Sequence, residues 1–597
     1  MKKLIILLVA VCLIVCLYGC SSSNQNQSQP SANQSQAQTK SSVKSSKPSV
    51  NPNPSYASTE KSSPNNNFST NDSKTSNVET SAPQSSSSNG NQSPNQTLNF
   101  AQRTDALLDG ATINDQAFLN YYKGLGEYNP SATVSSNAIY ASPKGNGNGT
   151  KNSPYSLQEA LDSVSAGQTI YLLGGTYDSG NADGYYVETK GNANGYITIR
   201  NYPGETAVIT NKNTSGELYG FQIGHGCCYT VIEGIEISNI TAYNAYGIAV
   251  WGNNQNHLIF RNLNIHHIKT NASNPEKETN SSANAILISG ENKNPVSNVI
   301  IASNNMSNNV TGWAETCSVT ANCEYVYILE NTVSDNTNIG IDFYGNAGYC
   351  STASLDQPRY GVAAGNIIKN SYCAYADCAG LYCDGARDII FQFNRIENCQ
   401  FGIEIGSEER QDSYPVINIL VRNNLVVNNK VVGMRVGGYE TSSTGYVKNT
   451  EFVNNTLVNN CTNSDGGEIV IAKVDGIKFI NNLVKNDNNA PFVKTDFTKT
   501  YCKNLTFTNN CFNNANQNEN DYEFYMFNSS QTGVNAFNSA LSATTITGKV
   551  SLNSSFLPTD DSCVINSAVS ANYGLYDYNL KARTINSKAD VGAIEKQ

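Results

Sequence analysis

From residue 139 onward, apolar residues come in short alternating runs, such as Ile389-Ile390-Phe391-Gln392-Phe393 and Asn418-Ile419-Leu420-Val421-Arg422, and no stretch keeps a helical period. Alternation every second residue is the pattern of a strand with one buried face. The runs are punctuated by Asn-x-apolar-x-Asn/Asp, at Asn304, Asn331, Asn366, Asn394, Asn424, Asn455, Asn482 and Asn510, in steps of 27, 35, 28, 30, 31, 27 and 28 residues. Several short strands repeating at this period predict the coils of a parallel β-helix, an all-β solenoid. Asparagines stacked at one corner can hydrogen-bond along the axis, which gives the residue type its reason. A β-propeller is the competing architecture, but its blades run to about 40 residues and these steps are shorter. One short helix is predicted, at Leu157-Gln158-Glu159-Ala160-Leu161 behind the N-cap Ser156, where it would close the N-terminal end of the solenoid.

A second motif, Gly-apolar-x-apolar-x, follows each ladder position. It reads Gly340-Ile341-Asp342-Phe343-Tyr344, Gly380-Leu381-Tyr382-Cys383-Asp384, Gly402-Ile403-Glu404-Ile405-Gly406 and Gly433-Met434-Arg435-Val436-Gly437, with a looser copy at Gly466-Gly467-Glu468-Ile469-Val470. Since strand side chains alternate between faces, Asp342, Tyr382, Glu404, Arg435 and Glu468 are expected on the outer face, one per coil and about 4.8 Å apart. Asp384 follows two positions on, and Glu408 just beyond Glu404. The upstream copies carry Ala249 and Leu287 instead, so charge is confined to the middle coils. Only 14% of the chain is charged, and a purely solvated face would show the Thr, Ser, Asn and Lys found elsewhere. Loops at 345–360, 407–416 and 437–447 would wall a groove. They contribute Arg359 and Tyr439, and Trp313 before Glu315 offers a ring for stacking on a sugar.

Composition divides the chain. Residues 1–20 have a basic start and a short apolar run ending in Leu17-Tyr18-Gly19-Cys20, as in a secretory leader. Residues 21–98 are almost wholly Ser, Asn, Gln, Pro, Thr and Lys and cannot bury enough apolar area to order themselves, so they read as a disordered tether. Residues 99–138 read as a linker or ill-defined segment, and 139–597 as one β-helix domain. The net charge of −10 argues against a nucleic-acid partner. Four His and no paired C-x-x-C argue against a zinc enzyme. Sixteen Cys are present. Cys383, Cys399 and Cys511 fit inward positions, and most are expected as buried thiols, with Cys373, Cys378 and Cys383, or Cys317 and Cys323, as candidates for a bridge. Gly224-His225-Gly226 and His266-His267 are not expected to form a site.

Two resemblances add to this. The end of the leader resembles the lipobox of bacterial lipoproteins, which implies lipidation at Cys20 and an extracellular, membrane-anchored chain. Ile139-Tyr140-Ala141-Ser142-Pro143-Lys144-Gly145, Ser156-Leu157-x-x-Ala160-Leu161, Gly167-Gln168-Thr169-Ile170-Tyr171-Leu172 and Gly175-Thr176-Tyr177, with the closing Asp577-Tyr578-Asn579-Leu580 and Asp590-Val591-Gly592-Ala593-Ile594-Glu595, resemble secreted right-handed parallel β-helix proteins of the pectin-lyase-like superfamily. That resemblance implies a polysaccharide partner, such as a plant or microbial cell-wall glycan, and a monomer.

Three chemistries are compatible with the column. In the first, Asp342, Asp384, Glu404 and Glu408 hold Ca²⁺, which binds a uronate carboxylate while Arg435 removes the adjacent proton; pectate lyases of the superfamily work in this way. The chain lacks the Asn-Gly-Phe-Lys segment of the family-nine lyases, and Lys473 is the nearest lysine. In the second, a carboxyl pair, Asp342 with Glu404 or Asp384 with Glu404, hydrolyses a glycosidic bond with inversion. Trp313, Tyr382, Arg359, Tyr439 and Glu468 are the candidate substrate-binding residues, and the third alternative is a non-catalytic glycan-binding or surface-attachment solenoid. The first is the leading expectation.

Overall fold

The computed structural model describes residues 97–409, 412–438, 440–441, 444–462, 466–488 and 490–597. The leader, nearly all of the tether, Cys20 and Tyr439 lie outside the described residues. Among the described residues, no helix is long and apolar enough to cross a membrane.

The alternating runs form the short parallel strands of a right-handed β-helix. Among the described residues, two of its faces run together into a sheet of 27 strands, and the third is a separate sheet of 13. Ile341, Phe343, Leu381, Cys383, Ile403 and Ile405 enter one continuous apolar core. Phe452, Phe479 and Phe507 stack at 4.6 and 4.7 Å along its axis. The helix Leu157–Ser163 closes the N-terminal end with Leu157, Ala160 and Leu161 buried, and Ser156 and Glu159 cap it reciprocally. At the other end the helix Val534–Leu541 packs Phe537 against Phe507, Phe512 and Phe524.

The corner asparagines hold this stack in register. Each ladder Asn Nδ2 donates to the Oδ1 of the Asn one coil on, at 2.9–3.0 Å from Asn304 through to Asn510. The same Oδ1 also accepts the backbone N–H of the preceding ladder residue, and the second Nδ2 proton goes to a backbone carbonyl, as from Asn424 to Phe391. The residue before each ladder Asn takes the left-handed conformation that bends the chain, with φ of 56° at Ser303, 53° at Glu330, 54° at Asn423 and 52° at Asn454. That conformation costs a non-glycine residue on the order of 1 kcal/mol, and the buried hydrogen bonds offset it.

A second ladder runs at the next corner. Asn309 donates to Asn336 at 2.9 Å and Asn429 to Asn460 at 2.8 Å, with Ser371 and Cys399 taking the intervening coils. This ladder ends on Glu468, whose Oε2 accepts from Asn460 Nδ2 at 2.7 Å and whose Oε1 accepts from Asn460 N at 2.8 Å. The expected outward position of Glu468 is therefore corrected: it is fully buried. In the sheet, Val470 rather than Glu468 pairs with Arg435.

Residues 99–138 contain two helices, Phe100–Leu107 and Gln116–Leu125, whose Leu107, Phe118, Leu119 and Tyr122 cover the outer face of the larger sheet at Ile259, Ile300 and Tyr327. This stretch is a packed part of the domain rather than a linker. The buried Arg422 joins it to the C-terminal segment, donating to Asp109 O at 2.6 Å, Asn572 O at 3.3 Å and Gln392 Oε1 at 2.7 Å. Cys317, Cys323, Cys373, Cys378 and Cys383 are buried thiols with no bridge among them.

Two outcomes follow for stability. Asn424→Ala removes the acceptor used by both Asn394 N and Asn394 Nδ2, so chemical denaturation is expected to report a loss of about 2 kcal/mol or more; no change would refute the ladder's role. Burial pushes the Glu468 carboxyl up to about 8, against the lowering effect of the Asn460 hydrogen bonds. A carboxyl raised on folding stabilises the protonated native state, so stability falls as pH rises from the ordinary carboxylate range towards 8. Glu468→Gln, which cannot ionise, is expected to flatten that dependence in melting curves taken across the window.

Candidate functional site

The site is built on the smaller sheet. We number its strands β1 (Asn244–Gly252), β2 (Ser282–Gly290), β3 (Cys317–Thr320), β4 (Ile341–Tyr344), β5 (Ala379–Asp384), β6 (Phe401–Gly406), β7 (Val432–Gly437), β8 (Gly467–Ile471) and β9 (Val493–Thr495). The register is continuous: Leu287 pairs with Ser318, Ser318 with Asp342, Asp342 with Tyr382, Tyr382 with Glu404, Glu404 with Arg435, Arg435 with Val470, and Val470 with Lys494. Their neighbours along each strand enter the core, so this column lies on the outer face.

Outer face does not mean exposed. Asp342 and Asp384 have no accessible surface, and Tyr382 is 2% exposed. The Tyr382 ring lies across the next coil, where a Cβ on Gly406 would stand 2.4 Å from its hydroxyl; only glycine leaves that room. Tyr382 Oη donates to Glu408 Oε1 at 2.9 Å, and Glu408 N donates to Asp384 Oδ1 at 3.0 Å. Burial, followed by the charges of Asp384, Glu404, Glu408 and Asp342, pushes the phenol well above its ordinary value, so Tyr382 stays protonated. The expected contact of Asp342 and Asp384 with a substrate is thus corrected: neither has accessible surface, and both lie close enough to Tyr382 for their charges to act on its phenol.

The column comes nearest to the surface at Arg435, whose side chain is 17% exposed, beside Glu404, which is itself largely buried at 8%. Arg435 Nε lies 3.7 Å from Glu404 Oε1, Nη2 3.4 Å from Asp496 Oδ2, and Nη1 3.8 Å from Asp377 Oδ2, while its guanidinium carbon sits 5.7 Å from the centre of the Phe401 ring. Burial alone would weaken its charge, but Glu404, Asp496 and Asp377 outweigh that and hold Arg435 above its ordinary value. Arg435 is therefore a fixed cation and unsuited to the base role expected of it. Asp377 comes from the loop before β5 and Asp496 from the residue after β9. Sequence reasoning missed both, although extending the column two coils past Arg435, through Val470, leads to Lys494 and to Asp496 two residues on.

The other candidates are placed elsewhere. Arg359 pairs with Glu324 at 2.9 Å and donates to Asn322 Oδ1 at 3.1 Å, pinning the turn into the larger sheet. Asp356 accepts from Gly348 N and Cys350 N and shapes its loop. Lys473 is buried, donates to Thr444 O, and lies 5.2 Å from the centre of the Tyr446 ring, away from Glu404. Trp313 is 6% exposed and is held by Pro275 O and the Tyr375 ring. His225 lies beside Glu188 on the surface.

Among the described residues, no three His, Cys, Asp or Glu side chains converge to hold a metal ion. Two members of the expected calcium set, Asp342 and Asp384, have no accessible surface. Glu408 accepts the Tyr382 hydroxyl, and Glu404 lies against Arg435. These four do not fit a Ca²⁺ cage in this arrangement.

A family model described as Pel9A-like, right-handed β-helix region, matches residues 139–530. The chain belongs to this family. Within the Pel9A-like fold, its matched relatives include the uncharacterised protein YwoF of Bacillus subtilis (strain 168), 28% identical over 381 residues that cover 60% of this chain and 77% of that one. A shorter match, 37% identical over 81 residues, covers 13% of this chain and 19% of pectate lyase PEL9 of Emericella nidulans. Among solved structures, pectate lyase Pel9A aligns over 78% of this chain and 98% of its own, with a TM-score of 0.45 and 16% identity. Other solved structures that align with this chain are an alginate lyase from Paenibacillus sp., over 58% of this chain and 96% of its own with a TM-score of 0.30 and 16% identity, and the A-module of the Azotobacter vinelandii mannuronan C-5 epimerase AlgE4, over 60% and 88% with a TM-score of 0.41 and 11% identity.

The ion-paired cluster has a measurable signature in this Pel9A-like protein. Arg435→Met leaves Glu404, Asp377 and Asp496 without their common cation, at a cost of about 3 kcal/mol when they are ionised. The loss in unfolding free energy is expected to be larger than that of Arg435→Lys, which keeps a cation at this position; equal losses in the two variants would refute the ion-pair reading.

Proposed function

We propose that this protein hydrolyses glycosidic bonds of a polysaccharide at the surface shared by Glu404, Arg435 and Asp496. The observation that carries this reading is the guanidinium seated between the two carboxyls. Touching both, it keeps them no more than roughly 9.5 Å apart, the outer limit for carboxyl pairs that act with inversion. One carboxyl of the pair protonates the leaving oxygen and the other, across Arg435, takes the proton of the attacking water. Arg435 sets their spacing and remains charged throughout. Tyr382, Asp342 and Asp384 form the buried support of Glu404. The leader and Cys20 support action outside the cell, on a cell-wall glycan, by a lipid-anchored chain.

Family membership favours one second reading, eliminative cleavage of a uronate-containing glycan. It would need a base and a cation that the column does not supply: Arg435 is held protonated, Lys473 is committed elsewhere, and the carboxylates do not fit calcium.

The test is a panel of polysaccharides with the full chain. New reducing ends without an unsaturated, ultraviolet-absorbing product are expected, insensitive to chelator. Glu404→Gln and Asp496→Asn are each expected to lower kcat by 10²-fold or more with unchanged melting. An unsaturated product abolished by chelator would replace hydrolysis with elimination. Full activity in both variants would remove this surface as the active site.

A further inference from the structure

Among the described residues every cysteine is a free thiol, and only Cys228 and Cys563 are not fully buried. The two differ in what lies beside them. Cys227, next to Cys228, belongs to the solenoid core, and Cys228 Sγ donates instead to Gly191 O at 3.7 Å. Cys563 packs into the cluster that holds a second cysteine, Cys511, 52 residues earlier in the chain. We propose that Cys511 and Cys563 form a disulfide in an oxidising medium, and that this bond staples the C-terminal segment to the outer face of the larger sheet. The inference does not use the hydrolytic reading; it needs only the extracellular setting that the leader supports.

Three observations place the pair. First, the register turns Cys511 outward. It pairs with Leu483 on one side and Ile546 on the other, while Phe512, the next residue, enters the core. Cys511 is nevertheless fully buried, because the C-terminal segment covers it: Cys511, Leu483, Val550, Val564 and Val591 form an apolar cluster of their own. Second, Cys563 is held over that cluster. Its N–H donates to Lys549 O at 2.9 Å and its carbonyl accepts from Ser567 Oγ at 2.8 Å. Its Sγ stands 3.5 Å from where a Cβ on Gly548 would be, two residues past the Ile546 that pairs with Cys511. Third, the two side chains hydrogen-bond to each other, which lowers the Cys563 thiol and raises that of Cys511.

This arrangement separates two roles. The thiolate is the attacking form, and Cys563 is the member of the pair that solvent reaches. Cys563 Sγ attacks one sulfur of a small disulfide oxidant, of which oxidised glutathione is the probe, and expels one thiol. Cys511 Sγ then attacks Cys563 Sγ and expels the second. Two protein thiols are oxidised, one oxidant disulfide is reduced, and the protons of both protein thiols end on the two thiols released. The bond closes a loop that the structure otherwise secures by hydrogen bonds, from Asn509 Nδ2 to Ser567 O and from Asn481 Nδ2 to Val569 O, each at 2.8 Å. A cross-link over so long a loop restricts the unfolded chain strongly.

Full-length protein is purified in reductant, freed of it, and incubated with oxidised glutathione under native conditions. Non-reducing peptide mapping is expected to recover residues 511 and 563 joined, with two hydrogens lost and no glutathione retained on either. The cross-linked protein is expected to melt about 3 °C or more above the reduced protein. Cys563→Ser, at a half-buried loop position, is expected to fold like the reduced protein and to lose both the cross-link and the shift. Cys511→Ser is expected to stop at a glutathione adduct on Cys563. A wild-type chain that keeps such an adduct on Cys563 beside a reduced Cys511, or in which both thiols stay reduced, would overturn the proposal. A cross-link that leaves melting unchanged would overturn the staple. Polysaccharide cleavage is not among these readouts, so the failure of either reading leaves the other standing.

Discussion

The asparagine amide at the solenoid corner is the interaction on which the rest of the structure depends. A coil must turn sharply at each corner, and at the ladder corner it does so through a left-handed residue, which leaves buried backbone groups pointing along the axis. A side chain with one good acceptor and two donors answers all of them at once. Its oxygen takes the backbone N–H and the amide of the preceding ladder residue, while its nitrogen serves the following Asn and a backbone carbonyl of the preceding coil. No apolar residue can do this, and a charged one would leave a buried charge on every coil. The ladder therefore fixes the register to the residue, and register is what brings distant parts of the chain together on the outer face.

Exact stacking has an electrostatic cost when the stacked residues are acids. Asp342, Glu404, Asp384 and Glu408 gather around one phenol, and their charges act together with burial to keep it protonated. The structure meets this in two ways. Part of the charge is placed beneath a tyrosine that stays protonated and can donate. The remainder is gathered around one arginine, which contacts carboxylates from three separate segments. The accessible chemistry of the column is thus set by what surrounds Arg435, and the buried acids tune it from below.

The fold was legible because its signals are local and repeated: the Asn spacing, the alternation, and the capping box at Ser156 are visible without knowing any contact. The site was legible only in part. The residues of β4 to β7 could be aligned from their glycines, since Gly340, Gly380, Gly402 and Gly433 occupy one interior row where a Cβ would strike a neighbouring coil or the opposite face. That rule failed at the next coil, where two successive glycines concealed a shift of two residues and put Glu468 into the ladder instead of the column. Burial of Asp342 and Asp384 depends on loops packing from outside, and the charges at Asp377 and Asp496 arrive from segments 58 and 61 residues away from Arg435. Such placements follow from tertiary structure, which no periodicity encodes. The two helices of 99–138 have an ordinary amphipathic pattern, but too short to stand out beside a low-complexity tether.

The charge distribution along the solenoid argues for a division of labour. Upstream, the column is uncharged, at Ala249, Leu287 and Ser318; at Glu404 it becomes a carboxylate pair around a cation. A polyuronate laid along this path would meet Glu404, Asp377 and Asp496 around one arginine that they already compensate. A neutral chain meets no such barrier and arrives at Glu404 and Asp496 with its linkage oxygen beside two carboxyls whose spacing the arginine controls. The same acidic face that would repel an anionic glycan is the face an acid–base mechanism requires, so substrate charge and reaction type are linked by a single electrostatic constraint.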